Sequence, residues 1–414
     1  MNDEARSTPE SSPGPSPEGR AYVDYRRPVL RARAPLRVSF AGGGTDVAPF
    51  PEREGGCVLS GTLSQFAYST LRPRTDGRIT VQSLDFGYSI GFGVDDPVEY
   101  NGELDLPKAA IARIREVPGA LPVSGFDLFL HTAAPPGSGL GSSSAVIVSV
   151  IGLVAQHCGL DLTQYEIAEL AYRLEREDLG IPGGSQDQYA AAFGGFNFIE
   201  FTADQVVVNP LRVRSATVHE LEHNMLLAFT GRTRVSDHII EDQRSRYETG
   251  NAEALEGLRA QKELAERMKI ALVRGEVDTI GHLLGEACLR PVPADIVDDD
   301  EFAAVALASR AANQPAFGVR IADFDGQTLA AVQDVAGSEG VGRHGVLDRR
   351  DDDHQPHRQV GLHHQTPESQ GMGRAAHILL HIAHAGGGLQ VQTAGVEHHP
   401  LADQGDQRQV GPVQ

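Results

Sequence analysis

The sequence predicts an α+β chain of two folded lobes, and three observations carry that expectation. At 414 residues the chain exceeds one average domain. It opens on short β-type runs between glycine-rich turns, then passes into long apolar and amphipathic helical stretches. Hydrophobic residues make up 40% and charged residues 22%, with no Trp, which is the composition of a globular protein with a large core.

The elements follow in order. Residues 1–27, rich in Ser, Pro, Glu and Arg, read as a disordered leader with too few apolar residues to offset chain ordering. From Val29 the runs VLRARAPLRVSF, VLSGTLSQFAYSTL and RITVQSL predict strands, followed by a helical stretch near 107–116 and a strand at 125–133. PPGSGLGSSSAVIVSVIGLVAQHCG predicts a glycine loop running into a buried helix that ends near Gly159. Asp161 or Thr163, with Glu166, signals the start of the next helix, which stops at Gly180. SQDQYAAAFGGFNFIEF closes the first lobe as helix, loop and strand. MLLAFTG at 225–231 and a helical run from about 236 to 287 open the second, with the boundary near 212–222.

The formal charge of −20 argues against a general surface for nucleic acid or anionic membrane, which needs clustered Lys and Arg. Lys108, Lys262 and Lys269 are the only lysines, so phosphate contacts are expected from Arg or from backbone N–H groups. Cys57, Cys158 and Cys288 form no Cys-x-x-Cys pair and suggest neither a disulfide framework nor a zinc site. The amino terminus lacks a signal pattern, and the longest apolar stretch, at 146–155, is about half a bilayer span. The expectation is a cytoplasmic protein.

Residues 135–145, PPGSGLGSSSA, give the strongest local signal. Gly137, Gly139 and Gly141 let the backbone turn tightly and approach a ligand. Pro136, Ser138 and Leu140 complete the loop. The helix that begins after Gly141 offers unpaired N–H groups and its dipole to an anion. Ser142, Ser143 and Ser144 add hydroxyls for phosphate oxygens or Mg²⁺, which takes so few protein ligands that one hydroxyl and one carboxylate suffice. No Gly-Lys-Ser/Thr occurs there, so it is not a Walker loop. Downstream, Glu175 and Asp187 offer one carboxylate for the metal and one beside an attacking hydroxyl, which is what phosphoryl transfer needs. The competing readings are a plain Gly/Ser surface turn and a solvated, charged helix end at LEREDLG.

Taken together, APLRVSFAGGGTD at 34–46, PPGSGLGSSSA at 135–145 and GIPGGSQDQYAAAFGGFNF at 180–198 resemble the GHMP kinase superfamily. With FTGRTRVSDHIIEDQ at 229–243, they look closest to D-glycero-D-manno-heptose 7-phosphate kinases, over roughly residues 30–287. The resemblance implies the two-lobe GHMP architecture, with an ATP-binding domain at 28–215 and a partial second domain at 216–324. It implies ATP and Mg²⁺ as cofactors and a sugar phosphate as acceptor. Asp187 matches the family's catalytic aspartate, which orients or deprotonates the acceptor hydroxyl, and Arg37 matches an arginine beside it. Glu175 matches a magnesium-ligating glutamate, with Glu177 as the alternative if the helix register slips. Ser143 matches the serine on the metal, with Ser142 and Ser144 as rivals. Asp46 keeps a carboxylate that grips sugar hydroxyls. Gly43 and Gly44 stand where galactokinase carries Glu-His, which argues against galactose and fits a bulkier acceptor. Arg232 and Arg234 precede a helix with Ser236 as its expected cap, and Arg234 is expected to hold the acceptor's phosphate.

The chain departs from the family at its third motif, a glycine cluster such as GAGGGGF, which is absent. AFGVRIADFDG at 316–326 lacks the cluster, and AHAGGGLQV at 383–391 comes too late. Residues from about 288 therefore read as foreign to the family, with an out-of-frame continuation as one explanation. A catalytically impaired sugar- or nucleotide-binding protein is the rival from another class; a kinase for another sugar, such as fucose, is the nearest enzymatic rival. Residues 325–414 contain no aromatic and no Lys, yet hold ten of the sixteen histidines, and offer little with which to build a core, so they read as a low-complexity His/Gln/Gly-rich tail, disordered or out of frame. His363 with His364, and His377, His381 and His384 at helical spacing, invite a metal reading that no nearby carboxylate set supports.

Overall fold

The computed structural model describes residues 24, 27–135, 137–228, 244–289, 304–307, 377–378 and 388–394. Nearly all of the expected leader lies outside the described residues. So do Pro136, the 229–243 segment with Arg232, Arg234 and Ser236, and most of the chain beyond 289, including His363, His364, His381 and His384.

Strand β1 (Val29–Ala41) alternates as a half-buried strand should. Leu30, Ala32, Ala34, Leu36, Val38 and Phe40 are all buried. β2 (Gly56–Pro73) is long enough to serve several partners. β1 runs antiparallel along it, its first half pairs with β6 (Phe196–Phe201), and its second half pairs with β5 (Phe126–Thr132). β3 (Arg78–Ser83) lies parallel to β5 and carries β4 (Tyr88–Gly93) as a hairpin partner, while β7 (Val206–Pro210) extends β6. A short helix, α1 (Phe50–Glu54), joins β1 to β2.

α3 (Ser142–His157) is apolar nearly all round and packs on β1 and β2. Ile147, Val148, Val150, Ile151, Leu153 and Val154 are fully buried, as a central helix requires. α2 (Asp105–Glu116), α4 (Gln164–Arg173) and α5 (Gln186–Phe193) pack around it. The capping box that begins α4 forms as expected. The Thr163 hydroxyl accepts from the Glu166 N–H at 3.2 Å, and the Thr163 N–H donates to Glu166 Oε2 at 2.7 Å. The expected regular helix to Gly180 does not run through; after Arg173 the chain widens into a π turn, Leu174–Asp178.

Beyond α6 (Ser215–Asn224), β8 (Met225–Ala228) sits between β9 (Ala304–Leu307) and β10 (His377–Ile378). The expected helical run to 287 is broken. One helix spans Ala252–Arg274, capped by Asn251 and ended by Gly275 at φ 81°, and another spans Val277–Leu289. Leu264, Ala265, Met268, Ala271 and Leu272 enter the same core as β1 and β2. The long helix is fastened to α1, where Arg259 pairs with Glu54 at 2.7 Å and Lys262 Nζ donates to the Glu54 carbonyl at 2.8 Å.

β11 (Gln390–Ala394) comes from the tail expected to be disordered, and corrects that expectation for these residues. It pairs with the outer edge of β1 from Val29 to Arg33. The Arg33 guanidinium reaches Gln390 Oε1 at 2.8 Å and 3.1 Å. An open strand edge presents unpaired main-chain groups and takes an extended segment without needing an apolar core from it. No helix among the described residues is long and apolar enough to cross a membrane.

Candidate active site

Three segments distant in sequence meet at the start of α3. β1 shifts register between Pro35 and Arg37 and again between Ser39 and Ala41. Such irregularities bend a strand and re-aim its side chains. Between them, the Arg37 N–H donates to the Leu140 carbonyl at 3.1 Å, joining the strand to the glycine loop. The Arg37 side chain donates from Nε to Asp187 Oδ1 at 2.7 Å and from Nη1 to the Gly139 carbonyl at 2.6 Å. One guanidinium thus ties the loop to the carboxylate at the start of α5.

Gly137, Gly139 and Gly141 have φ of 73°, 71° and 68°, in the left-handed region that glycine enters freely. Gly141 is the N-cap of α3, and no side chain caps that end. The first-turn N–H groups of a long helix are thus left as donors for an anion.

Glu175 is buried, placed against the core by the π turn, while Glu177 is exposed. The Ser144 hydroxyl donates to Glu175 Oε2 at 2.8 Å, and Gln188 Nε2 donates both to that oxygen and to Ser144 Oγ. Burial pushes the Glu175 carboxyl above its usual range, against the pull of the Arg176 charge and the two hydrogen bonds. Ser143, expected as the metal serine, is exposed; Ser144 is the one that meets Glu175. Consecutive helical side chains point about 100° apart, so only one of three adjacent serines can face a given group. The Ser144 hydroxyl and Glu175 carboxylate are hard oxygen donors. So small a set suits Mg²⁺, which keeps most of its waters.

Asp46 is buried and accepts from the Gln186 N–H at 2.9 Å and from the Gly44 N–H at 3.2 Å. Burial raises its pKa against the Gln186 hydrogen bond, and the Asp187 charge adds to the rise. Its loop is locked from behind by buried Thr45, whose hydroxyl lies 2.7 Å from the Gly42 carbonyl and 3.1 Å from the Cys57 N–H. A Cβ on Gly43 would find ordinary contacts only, 3.7 Å from Ser39 Oγ and 3.9 Å from Gln186 Nε2, so a polar notch lies over it.

Arg37, Asp187, Asp46, Gly139 and Gly141 are thus brought together, with Ser144 and Glu175 forming a buried pair that Asp187 also influences. Pro136 and Arg234 lie outside the described residues. Sequence reasoning passed over Gln188, which touches Ser144 and Glu175, and Arg176, which binds the loop before α5. Both sit beside named carboxylates; the π turn at 174–178 sets which way Arg176 faces, and the packing of α5 against α3 sets Gln188.

Residues 105–195 match the model of the GHMP kinases N terminal domain. D-glycero-alpha-D-manno-heptose 7-phosphate kinase of Campylobacter jejuni is 40% identical over 275 residues, covering 66% of this chain and 80% of that protein. A solved putative sugar kinase from Campylobacter jejuni, 40% identical, superposes with a TM-score of 0.54 over 66% of this chain and 79% of that one. A solved D-glycero-D-manno-heptose 1-phosphate kinase from Bacteroides thetaiotaomicron, 37% identical, gives 0.55 over 62% and 78%. With four-fifths of a curated relative covered at this identity, the chain belongs to the GHMP kinases.

Proposed function

We propose that this chain transfers the γ-phosphoryl group of ATP to a hydroxyl of a sugar phosphate, with a heptose 7-phosphate as the acceptor. The observation that carries the reading is the Arg37 bridge between Asp187 and the Gly139 carbonyl, which sets a carboxylate beside an anion-binding helix start. In this reading residues 28–215 bind the nucleotide, with its phosphates on the N–H groups of the 137–144 loop. The acceptor oxygen bonds to the γ-phosphorus as the bond to the ADP oxygen breaks, and the acceptor's proton passes to Asp187. Arg37 holds Asp187 in place and offsets charge that develops on the transferring group. Ser144 and Glu175 would hold Mg²⁺, which when bound neutralises phosphate charge.

Asp46 is assigned to acceptor hydroxyls and Arg234 to the acceptor's phosphate. Two features favour a heptose phosphate over galactose: Gly43 and Gly44 in place of the Glu-His pair of galactokinase, and the 40% identity with the Campylobacter enzyme. A second reading, a nucleotide- or sugar-binding protein without turnover, is favoured by the missing GAGGGGF cluster. The two separate in one experiment: ATP turnover measured over phosphorylated and free sugars, with Asp187→Asn alongside. The proposal expects turnover that prefers a phosphorylated heptose. Asp187→Asn should lower it about 10²- to 10⁴-fold, the usual share of a positioned general base, while Mg-ATP binding persists. Near-normal turnover in Asp187→Asn would remove the assigned base. Sugar-phosphate and ATP binding with no turnover in the unmodified chain would establish the second reading.

A further inference from the structure

The loop 180–185 delivers Asp187 to Arg37 and the Gln186 N–H to Asp46, and it contains no rigid element of its own. One main-chain hydrogen bond, from the Ile181 N–H to the Glu175 carbonyl at 2.8 Å, ties its start to the π turn, and one side chain holds the rest. Arg176, on the π turn, donates from Nε and Nη2 to the Gly184 carbonyl at 3.1 Å and 3.0 Å, and from Nη1 to the Ile181 and Pro182 carbonyls at 3.1 Å and 3.2 Å. A planar guanidinium with five donors in a fixed fork can collect three carbonyls at once; an ammonium on a flexible stem cannot hold that geometry.

The glycines of the loop lie against this contact. A Cβ on Gly183 would stand 2.2 Å from the Arg176 guanidinium carbon, and a Cβ on Gly184 would stand 2.0 Å from Asp46 Oδ2. The bare backbone is therefore pressed between the guanidinium and the Asp46 carboxylate.

We propose that Arg176 is a positioning residue that sets the register of the 181–187 backbone against Asp46 and Arg37. This inference deepens the kinase reading, since the groups it positions are the ones assigned to acceptor and proton. The order of the 181–187 backbone can be measured without turnover.

The test compares Arg176→Lys, which keeps the charge and loses the fork, with Arg176→Ala, in the full chain. By hydrogen exchange, both variants should expose the amides of residues 184–187 at least about tenfold faster, with exchange in α3 and β2 unchanged. In turnover, the acceptor kcat/KM should fall about 10²-fold, as expected for a misplacement near 1 Å, while the ATP KM changes less than about threefold. Free guanidinium ion at millimolar concentration should recover part of the Arg176→Ala loss, and ethylammonium should not. Unchanged exchange at 184–187 in a folded Arg176→Lys protein would overturn the proposal. So would full recovery by ethylammonium. If Arg176→Ala fails to fold, Arg176→Lys carries the exchange test alone. Faster exchange at 184–187 in a chain that phosphorylates no sugar would uphold the positioning role and remove the kinase reading instead.

Discussion

Gly184→Ala adds one methyl group where the structure leaves no room for it. The φ of Gly184 lies outside the left-handed range, so an alanine backbone is permitted and the effect is steric. Its Cβ would fall 2.0 Å from Asp46 Oδ2, about 1 Å inside the closest approach that real Cβ atoms make. Asp46 cannot retreat, because it is buried and tied to the Gln186 and Gly44 N–H groups at 2.9 Å and 3.2 Å. The loop must therefore move, and Asp187 moves with it. A shift of about 1 Å stretches the 2.7 Å Arg37–Asp187 hydrogen bond beyond useful length. Misplacement on that scale costs roughly 10²-fold in rate, or about 2.7 kcal/mol. Overpacking should lower stability by about 1–3 kcal/mol. Steady-state turnover of a phosphorylated sugar, with calorimetry for Mg-ATP and a thermal melt, reads all three. Mg-ATP affinity should stay within about threefold, since the glycine loop is untouched. Turnover within about threefold of the unmodified chain would refute the argument that Asp46 and this loop form one tightly fitted site.

Two further outcomes follow from the same geometry. Gly139→Val should raise the Mg-ATP dissociation constant at least about tenfold, because a branched side chain is strained at φ 71° and would crowd a loop that already meets Arg37; calorimetry showing unchanged affinity in a folded protein would remove the loop from the nucleotide site. Asp46→Asn should lose acceptor affinity and alter the pH dependence of stability. The raised pKa of Asp46 means that the unfolded chain releases this proton first, so its burial weighs against folding increasingly as pH rises from about 4 through the folded-state value. The melting temperature of Asp46→Asn, relative to the unmodified chain, should therefore be higher at pH 7.5 than at pH 4.5. The opposite ordering in paired melts would show that the two N–H hydrogen bonds outweigh burial.

Much of the architecture is written in local patterns. Alternation in VLRARAPLRVSF gives β1, the Thr163–Glu166 pair gives the start of α4, and the glycine loop followed by an apolar run gives α3. The pairing of Arg37 with Asp187, 150 positions apart, is implied by the resemblance to the GHMP kinases and could not have come from either segment alone. What local reading could not reach has identifiable causes. Periodicity assumes a regular helix, so it could not anticipate the π turn at 174–178. It therefore could not say that Arg176 turns to the 181–184 carbonyls. Three adjacent serines are indistinguishable by type, and only the packing of α3 selects Ser144 for Glu175. β11 answers to an edge of β1 and has little signal of its own; Gly275 broke a helical run that charge and apolar spacing alone would have continued.

The irregularities of this fold converge. β1 slips register beside Arg37, α4 widens into a π turn at Glu175, and the loop before α3 takes three left-handed glycines. The loop before α5 leaves no space for a side chain at Gly183 or Gly184. Each departure costs stability relative to a regular strand, helix or turn, and a protein selected for stability alone would have no reason to gather them. Here they gather around one volume, where they aim a guanidinium, two buried carboxylates and a helix N-terminus toward one another. A packing defect in β1 would not need a partner defect 140 residues later in the chain. A site that must hold Asp187 against Arg37 while leaving helix N–H groups open needs both. The coincidence of strand slip, π turn and glycine backbone is thus an argument for function that rests on backbone geometry alone. It points to the same residues that the motifs name.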